Sequence, residues 1–179
     1  MAATVKIWDP FVRMFHWSLV ASFAVAWLSA EEWRALHEWA GYAAGSLIAL
    51  RLVWGIVGTR YARFRQFVRS PSAVATYVRD IVTGREARYL GHNPAGGLMI
   101  VALIATLASV AVTGWMMTTD AYWGVDWVEN VHEALASAML ALVGIHVLGV
   151  GVASLRHREN LVAAMVSGRK RSPGAADIA

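Results

Sequence analysis

The sequence predicts an all-α integral membrane protein: a four-helix bundle with a short cytoplasmic interfacial helix between spans two and three. Three observations lead there. Of 179 residues, 58% are hydrophobic and only 16% charged, where soluble chains average about 45–50% and about 25%. The charges present leave four long apolar runs, each near the roughly 20 residues needed to cross about 30 Å of hydrocarbon. Lys and Arg gather on the connections at one end of these runs, and carboxylates at the other.

The first span is expected over 10–30, with Asp9 as N-cap and Pro10 in the first turn. A cleaved signal peptide fits less well, because Ser29-Ala30-Glu31-Glu32 leads directly into another apolar segment rather than a cleavage site. Span two covers 36–57 and is interrupted by one charge, Arg51. The Arg-rich segment that follows holds the interfacial helix over 71–83, with docking against the bundle as plain packing the alternative. Ser70-Pro71 opens it, Gly84 closes it, and Val74, Tyr77, Val78, Ile81 and Val82 recur at helical spacing opposite Arg79 and Asp80. Span three, 94–117, starts at Asn93-Pro94, and span four, 131–155, ends at Arg156-His157-Arg158. Residues 1–171 read as one domain, and the small, polar stretch 172–179 as a disordered tail.

Charge orients the spans. With an even number of them, the N-terminus, the segment 51–92 and the C-terminus share one side, which holds 15 of the 16 Lys and Arg against five carboxylates. The other side has Arg34 alone against Glu31, Glu32, Glu38, Asp120, Asp126, Glu129 and Glu133. The net charge of +4 thus divides into +10 and −6, and the positive-inside rule makes both termini cytoplasmic. The expected location is a bacterial inner membrane, with the lipid bilayer as a partner and no nucleic acid.

There is no Cys, which removes disulfides, thiolate zinc sites, iron–sulfur clusters and covalently attached c-type haem. Metal chemistry falls to His. An ionisable side chain inside a span is expensive and therefore a functional candidate, and four of the six histidines qualify. His132 and His146 are 14 residues apart on span four, which is about 21 Å along the axis and within roughly 40° on one face. His16 on span one matches the inner depth of His146, and His37 on span two the outer depth of His132. Two facing imidazole pairs in an apolar bundle are what two non-covalent b-type haems need as axial ligands.

Single intramembrane histidines are often packing residues with an interhelical hydrogen bond, but four in two depth-matched pairs are less easily explained that way. A zinc or copper site wants three or four ligands at one point. A proton path wants carboxylates mid-span, where this sequence has none. His92 and His157 read as surface residues. Gly41, Gly45, Gly144, Gly149 and Gly151 lie near the ligand levels, where they either admit a flat macrocycle or make ordinary helix contacts. Arg51 shares the face of His37 14 residues further in, and is assigned to a propionate of the inner haem, with snorkelling to the surface as the alternative.

The sequence resembles the bacterial cytochrome b561 family, which shares its pattern with the b-type cytochrome subunits of nickel-iron hydrogenases and formate dehydrogenases. The resemblance is carried by Trp8-Asp9-Pro10 through Arg13 with Phe15-His16-Trp17, Leu36-His37-Glu38-Trp39-Ala40-Gly41, Arg51-Leu52-Val53-Trp54-Gly55 with Gly58, Gly91-His92-Asn93-Pro94, Val131-His132-Glu133 and Ile145-His146. It implies a four-helix bundle with two haems b, one on His16 and His146 and one on His37 and His132. It also implies electron exchange between a quinone substrate and a second redox partner.

Three readings of that partner stay open: a periplasmic redox protein such as a c-type cytochrome, a larger oxidoreductase for which the chain is a haem-carrying anchor, or superoxide. The −6 outer face repels an anionic substrate and favours a basic protein. The loop from Thr118 to Trp127 is the expected contact surface, or an interfacial aromatic belt.

Overall fold

The computed structural model describes residues 3–178. Asp9 accepts a hydrogen bond from the Val12 amide at 2.9 Å, which caps α1 (Pro10–Ser29) as its sequence requires. Helix α2 (Arg34–Val57) follows, then a 3-10 turn (Arg60–Ala62), α3 (Phe64–Phe67) and α4 (Pro71–Thr83). Helix α4 has the expected ends: the Ser70 hydroxyl accepts from the Ala73 amide, and Gly84 closes it at φ 69°. Asn93 caps α5 (Pro94–Met117) by accepting from the Gly96 amide at 2.7 Å. Helix α6 (Asp126–Arg156) and α7 (Leu161–Ser167) complete the helices.

The chain is mostly helical, and α1, α2, α5 and α6 are long and apolar enough to cross a membrane. Helix α6 starts at Asp126, earlier than the expected 131. Glu129 is therefore a helical residue, and Asp126 and Glu129 sit in the first turn, where carboxylates suit the helix dipole.

The residues fall into two compact units. The first comprises Met1–Arg13, Trp54–Val101 and Gly144–Ala179, and the second Met14–Val53 and Ala102–Val143. In the first, Ile7, Trp8, Val12, Ala62 and Leu90 form a buried core. Strand β1 (Thr4–Lys6) pairs antiparallel with β2 (Arg169–Arg171), Val5 opposite Lys170. The Ile7 and Trp8 amides both donate to the Gly168 carbonyl, at 2.9 and 3.1 Å. Gly168 has φ 79°, and a Cβ there would meet the Trp8 carbonyl oxygen at 2.7 Å, so no other residue closes this join without strain.

The C-terminal stretch differs from its expected disorder. Ile178 makes backbone hydrogen bonds of 2.9 Å to Arg88 and Leu90, and Asp177 pairs with Arg88. Arg88 also holds Glu159 at 2.7 Å, and Lys170 donates to the Tyr89 and Leu90 carbonyls. These partners lie 71 and 89 residues from Arg88 in sequence, too far for local pattern to announce them.

In the second unit, Ile48, Leu107 and Met139 form the buried centre, with Phe15, Leu19, Phe23, Leu103, Ile104 and Val143 packed around them. Gly45 touches Ala111, at 3.4 Å from the position of an added Cβ. It is an ordinary helix contact.

Candidate cofactor site

Helices α2 and α6 bring His37 and His132 together within the second unit, with ring centroids 6.2 Å apart and planes at 77°. Each ring is held through Nδ1. His37 Nδ1 lies 2.8 Å from the Ala26 carbonyl oxygen, which can only accept, so the proton sits on Nδ1 and Nε2 keeps its lone pair. His132 Nδ1 lies 3.0 Å from the Thr113 hydroxyl. That hydroxyl has one proton and faces the Ser109 and Val110 carbonyls at 2.9 and 3.1 Å, so it donates there and accepts from His132. Both rings therefore offer Nε2 as a metal ligand, oriented by a partner at the other nitrogen.

The separation suits one metal ion between two imidazoles. With metal–nitrogen bonds of about 2 Å, two rings sharing an ion have centres about 6 Å apart. Around them, Gly41, one turn beyond His37, has open space where a Cβ would stand, while a Cβ on Gly114 would meet His132 at 3.1 Å. Among the described residues no group of three or more His, Cys, Asp or Glu converges. The donor set is a pair of nitrogens.

The other predicted residues lie as follows. His16 is half-buried on α1 in the second unit, edge-on to Trp17 at 5.0 Å. His146 is half-buried on α6 in the first unit. Arg51 is only 3% exposed on α2, so its guanidinium has not snorkelled to solvent. His92 is a correction: it is not a surface residue but is half-buried, with its ring 4.6 Å from Trp8 and 4.9 Å from Phe67. Polar–aromatic packing of that kind joins three distant segments and leaves no periodic trace.

Sequence reading missed Thr113 and the Ala26 carbonyl. A Thr inside an uncharged run, 8% exposed, was the available signal, since a hydroxyl in hydrocarbon needs a partner. A separate cavity of about 360 Å³ beside α4 is lined by Ser72, Thr76, Tyr77, Asp80 and Tyr89 and contains none of the four histidines. Burial, with Glu86 and Tyr89 nearby, pushes the Tyr77 hydroxyl up to about 12.

The family model for prokaryotic cytochrome b561 matches residues 7–168. The chain belongs to the prokaryotic cytochrome b561 family. With that come b-type haem and haem-mediated electron transfer in a multi-pass membrane protein. No curated protein matches the chain.

At the end of the second unit that carries His37, this cytochrome b561 exposes Trp33, Trp39, Trp123 and Trp127. Arg34 stands over the Trp123 ring at 4.2 Å and pairs with Glu38 at 2.7 Å. Its charge is thus already engaged. Tyr42 and Thr118 are joined by hydroxyls 3.0 Å apart.

Proposed function

We propose that this cytochrome b561 is a four-helix bundle that moves electrons across a bacterial inner membrane through two bis-His haems b, between the quinone pool and a periplasmic redox protein such as a c-type cytochrome. The observation that carries the reading is the His37–His132 pair, 6.2 Å apart with each Nδ1 engaged and each Nε2 left for iron. The second haem is assigned to His16 and His146 from their matching depth along the spans.

His37 and His132 would hold such a haem, which would supply a one-electron redox centre there. The protein's part is to fix the ligands. The Ala26 carbonyl and the Thr113 hydroxyl hold the two imidazoles in one tautomer and limit their rotation. Arg51, drawn into the interior of α2, is the assigned partner of a propionate, because its planar fork matches a carboxylate.

With both termini cytoplasmic, His37 and His132 stand at the periplasmic level. Acidic residues surround that end of the chain, and its one cation, Arg34, is committed to Glu38 and Trp123. An anion such as superoxide finds no steering charge there, whereas a basic protein does.

The test is the haem-to-protein ratio of the purified chain. Two haems b are expected in the wild type and one in each of His16→Ala and His37→Ala; an unchanged ratio would sink the assignment. Electron exchange with a basic c-type cytochrome should slow as salt is raised, and a rate indifferent to ionic strength would remove the partner reading while leaving the haem reading intact.

A further inference from the structure

The first unit sorts its charges by depth. Of its five carboxylates, Asp9 caps α1, Glu86 pairs with Arg156 at 2.8 Å, and Glu159 and Asp177 pair with Arg88. The side chains of Glu86, Glu159 and Asp177 are 7%, 7% and 11% exposed. Only Asp80 is half-exposed. Arg88 apart, most of the arginines do the opposite: Arg79, Arg85, Arg158 and Arg169 are all exposed. The surface that results is cationic well beyond what the unit's composition requires.

Two helices on this surface also leave apolar faces uncovered. Helix α4 turns Tyr77 into the unit and exposes Val78 and Val82, at 45% and 80%. Helix α7 buries Ala164 and exposes Val162 and Val166, at 53% and 57%. Both are pinned to the end of a membrane span. Four residues separate Arg156, the last of α6, from Leu161, the first of α7, a reach of at most about 18 Å. Arg156 itself donates to the Ile81 carbonyl of α4 at 2.6 Å. Apolar side chains flanked by arginines at the level where a helix leaves the hydrocarbon match the boundary between headgroups and acyl chains.

We propose that α4 and α7 together form a collar resting on the bilayer that the long helices cross, with Val78, Val82, Val162 and Val166 seated in the headgroup boundary and the neighbouring arginines binding anionic phospholipid headgroups. The collar rests on the membrane-spanning nature of the chain and is independent of which histidines hold haem. Its second helix, α7, has no counterpart in the sequence reading. Seven residues are too few to show a period.

The sequence has no Cys, so single labels can be placed in the intact haem-loaded protein. Val82→Cys, Val166→Cys and, as the water-facing control, Ala175→Cys would each carry an environment-sensitive fluorophore in nanodiscs of phosphatidylcholine with or without phosphatidylglycerol. Lipids bearing a shallow nitroxide should quench the labels at 82 and 166 severalfold more than the label at 175. Equal quenching at all three positions, as expected if the face instead met a soluble acidic protein, overturns the collar. Preference for spin-labelled phosphatidylglycerol over phosphatidylcholine should fall in Arg79→Gln with Arg85→Gln, by roughly five-fold for each arginine neutralised. An unchanged preference overturns the headgroup assignment.

Discussion

The two units solve the problem of buried polar groups in different ways. In the first, charges are satisfied by one another: Arg88 is shared between Glu159 and Asp177, and Lys170 caps the Tyr89 and Leu90 carbonyls. In the second, the two paired imidazoles do not close on each other. Each histidine satisfies Nδ1 on the protein, and the two ring centroids lie 6.2 Å apart. A self-satisfied network needs nothing more, whereas a ring pair whose Nδ1 atoms are engaged keeps Nε2 as a metal ligand, as the proposed haem requires.

That contrast can be broken from either side. The largest effect on stability belongs to Arg88→Ala, which strands two carboxylates in the first unit. A cost of about 3–5 kcal/mol is expected, read as a lowered thermal midpoint and early proteolysis after residue 157, with the haem proposed for His37 and His132 retained until unfolding. Loss of that haem at temperatures where the C-terminal segment still resists protease would show that the units do not behave separately.

Acid comes next. Burial would raise the Glu159 carboxyl, but hydrogen bonds from Arg88 and the Arg171 amide hold it below the ordinary 4.5. The Gly174 amide and Arg88 hold Asp177 below 3.8. Carboxylates with depressed values contribute stability that is fully present above the ordinary value and is lost as pH falls through the depressed one. Stability of the first unit should therefore be insensitive to these groups near neutrality and decline below about pH 4.5, a decline that Glu159→Gln shifts or blunts in an acid titration followed by circular dichroism.

Smaller again is Asp9→Ala, which removes the cap of α1 and the acceptor for Trp54 and Thr59. A loss of about 1–2 kcal/mol is expected, measured by thermal melting. The smallest effect belongs to Arg34→Ala. Its pair with Glu38 is 62% exposed on the arginine side, so under about 1 kcal/mol is at stake. The change should nonetheless strengthen the attraction of a basic cytochrome at low salt, because it adds one negative unit to the outer face.

The spans were legible because crossing hydrocarbon demands length and apolarity, which composition displays directly. The ends of α4 and the starts of α1 and α5 were legible too, since Ser70, Gly84, Asp9 and Asn93 act through backbone groups within a few residues of themselves. His37 and His132 stood out because imidazoles are costly in a membrane. What held them did not. Ala26 contributes a backbone carbonyl, which every residue has, and Thr113 resembles any other small polar residue in a span.

The sequence by itself determined four long apolar helices, the division of charge between their two ends and the shortage of ligands other than histidine, because each follows from local composition and helical rise. Only the tertiary structure decided that His37 faces His132, that Arg51 is interior, that His92 packs against Trp8 and Phe67, and that the C-terminal stretch is tied down by Arg88. Those outcomes depend on which distant groups meet. A buried charge or a ring nitrogen takes its role from the partner it reaches, and no periodicity along the chain records that partner.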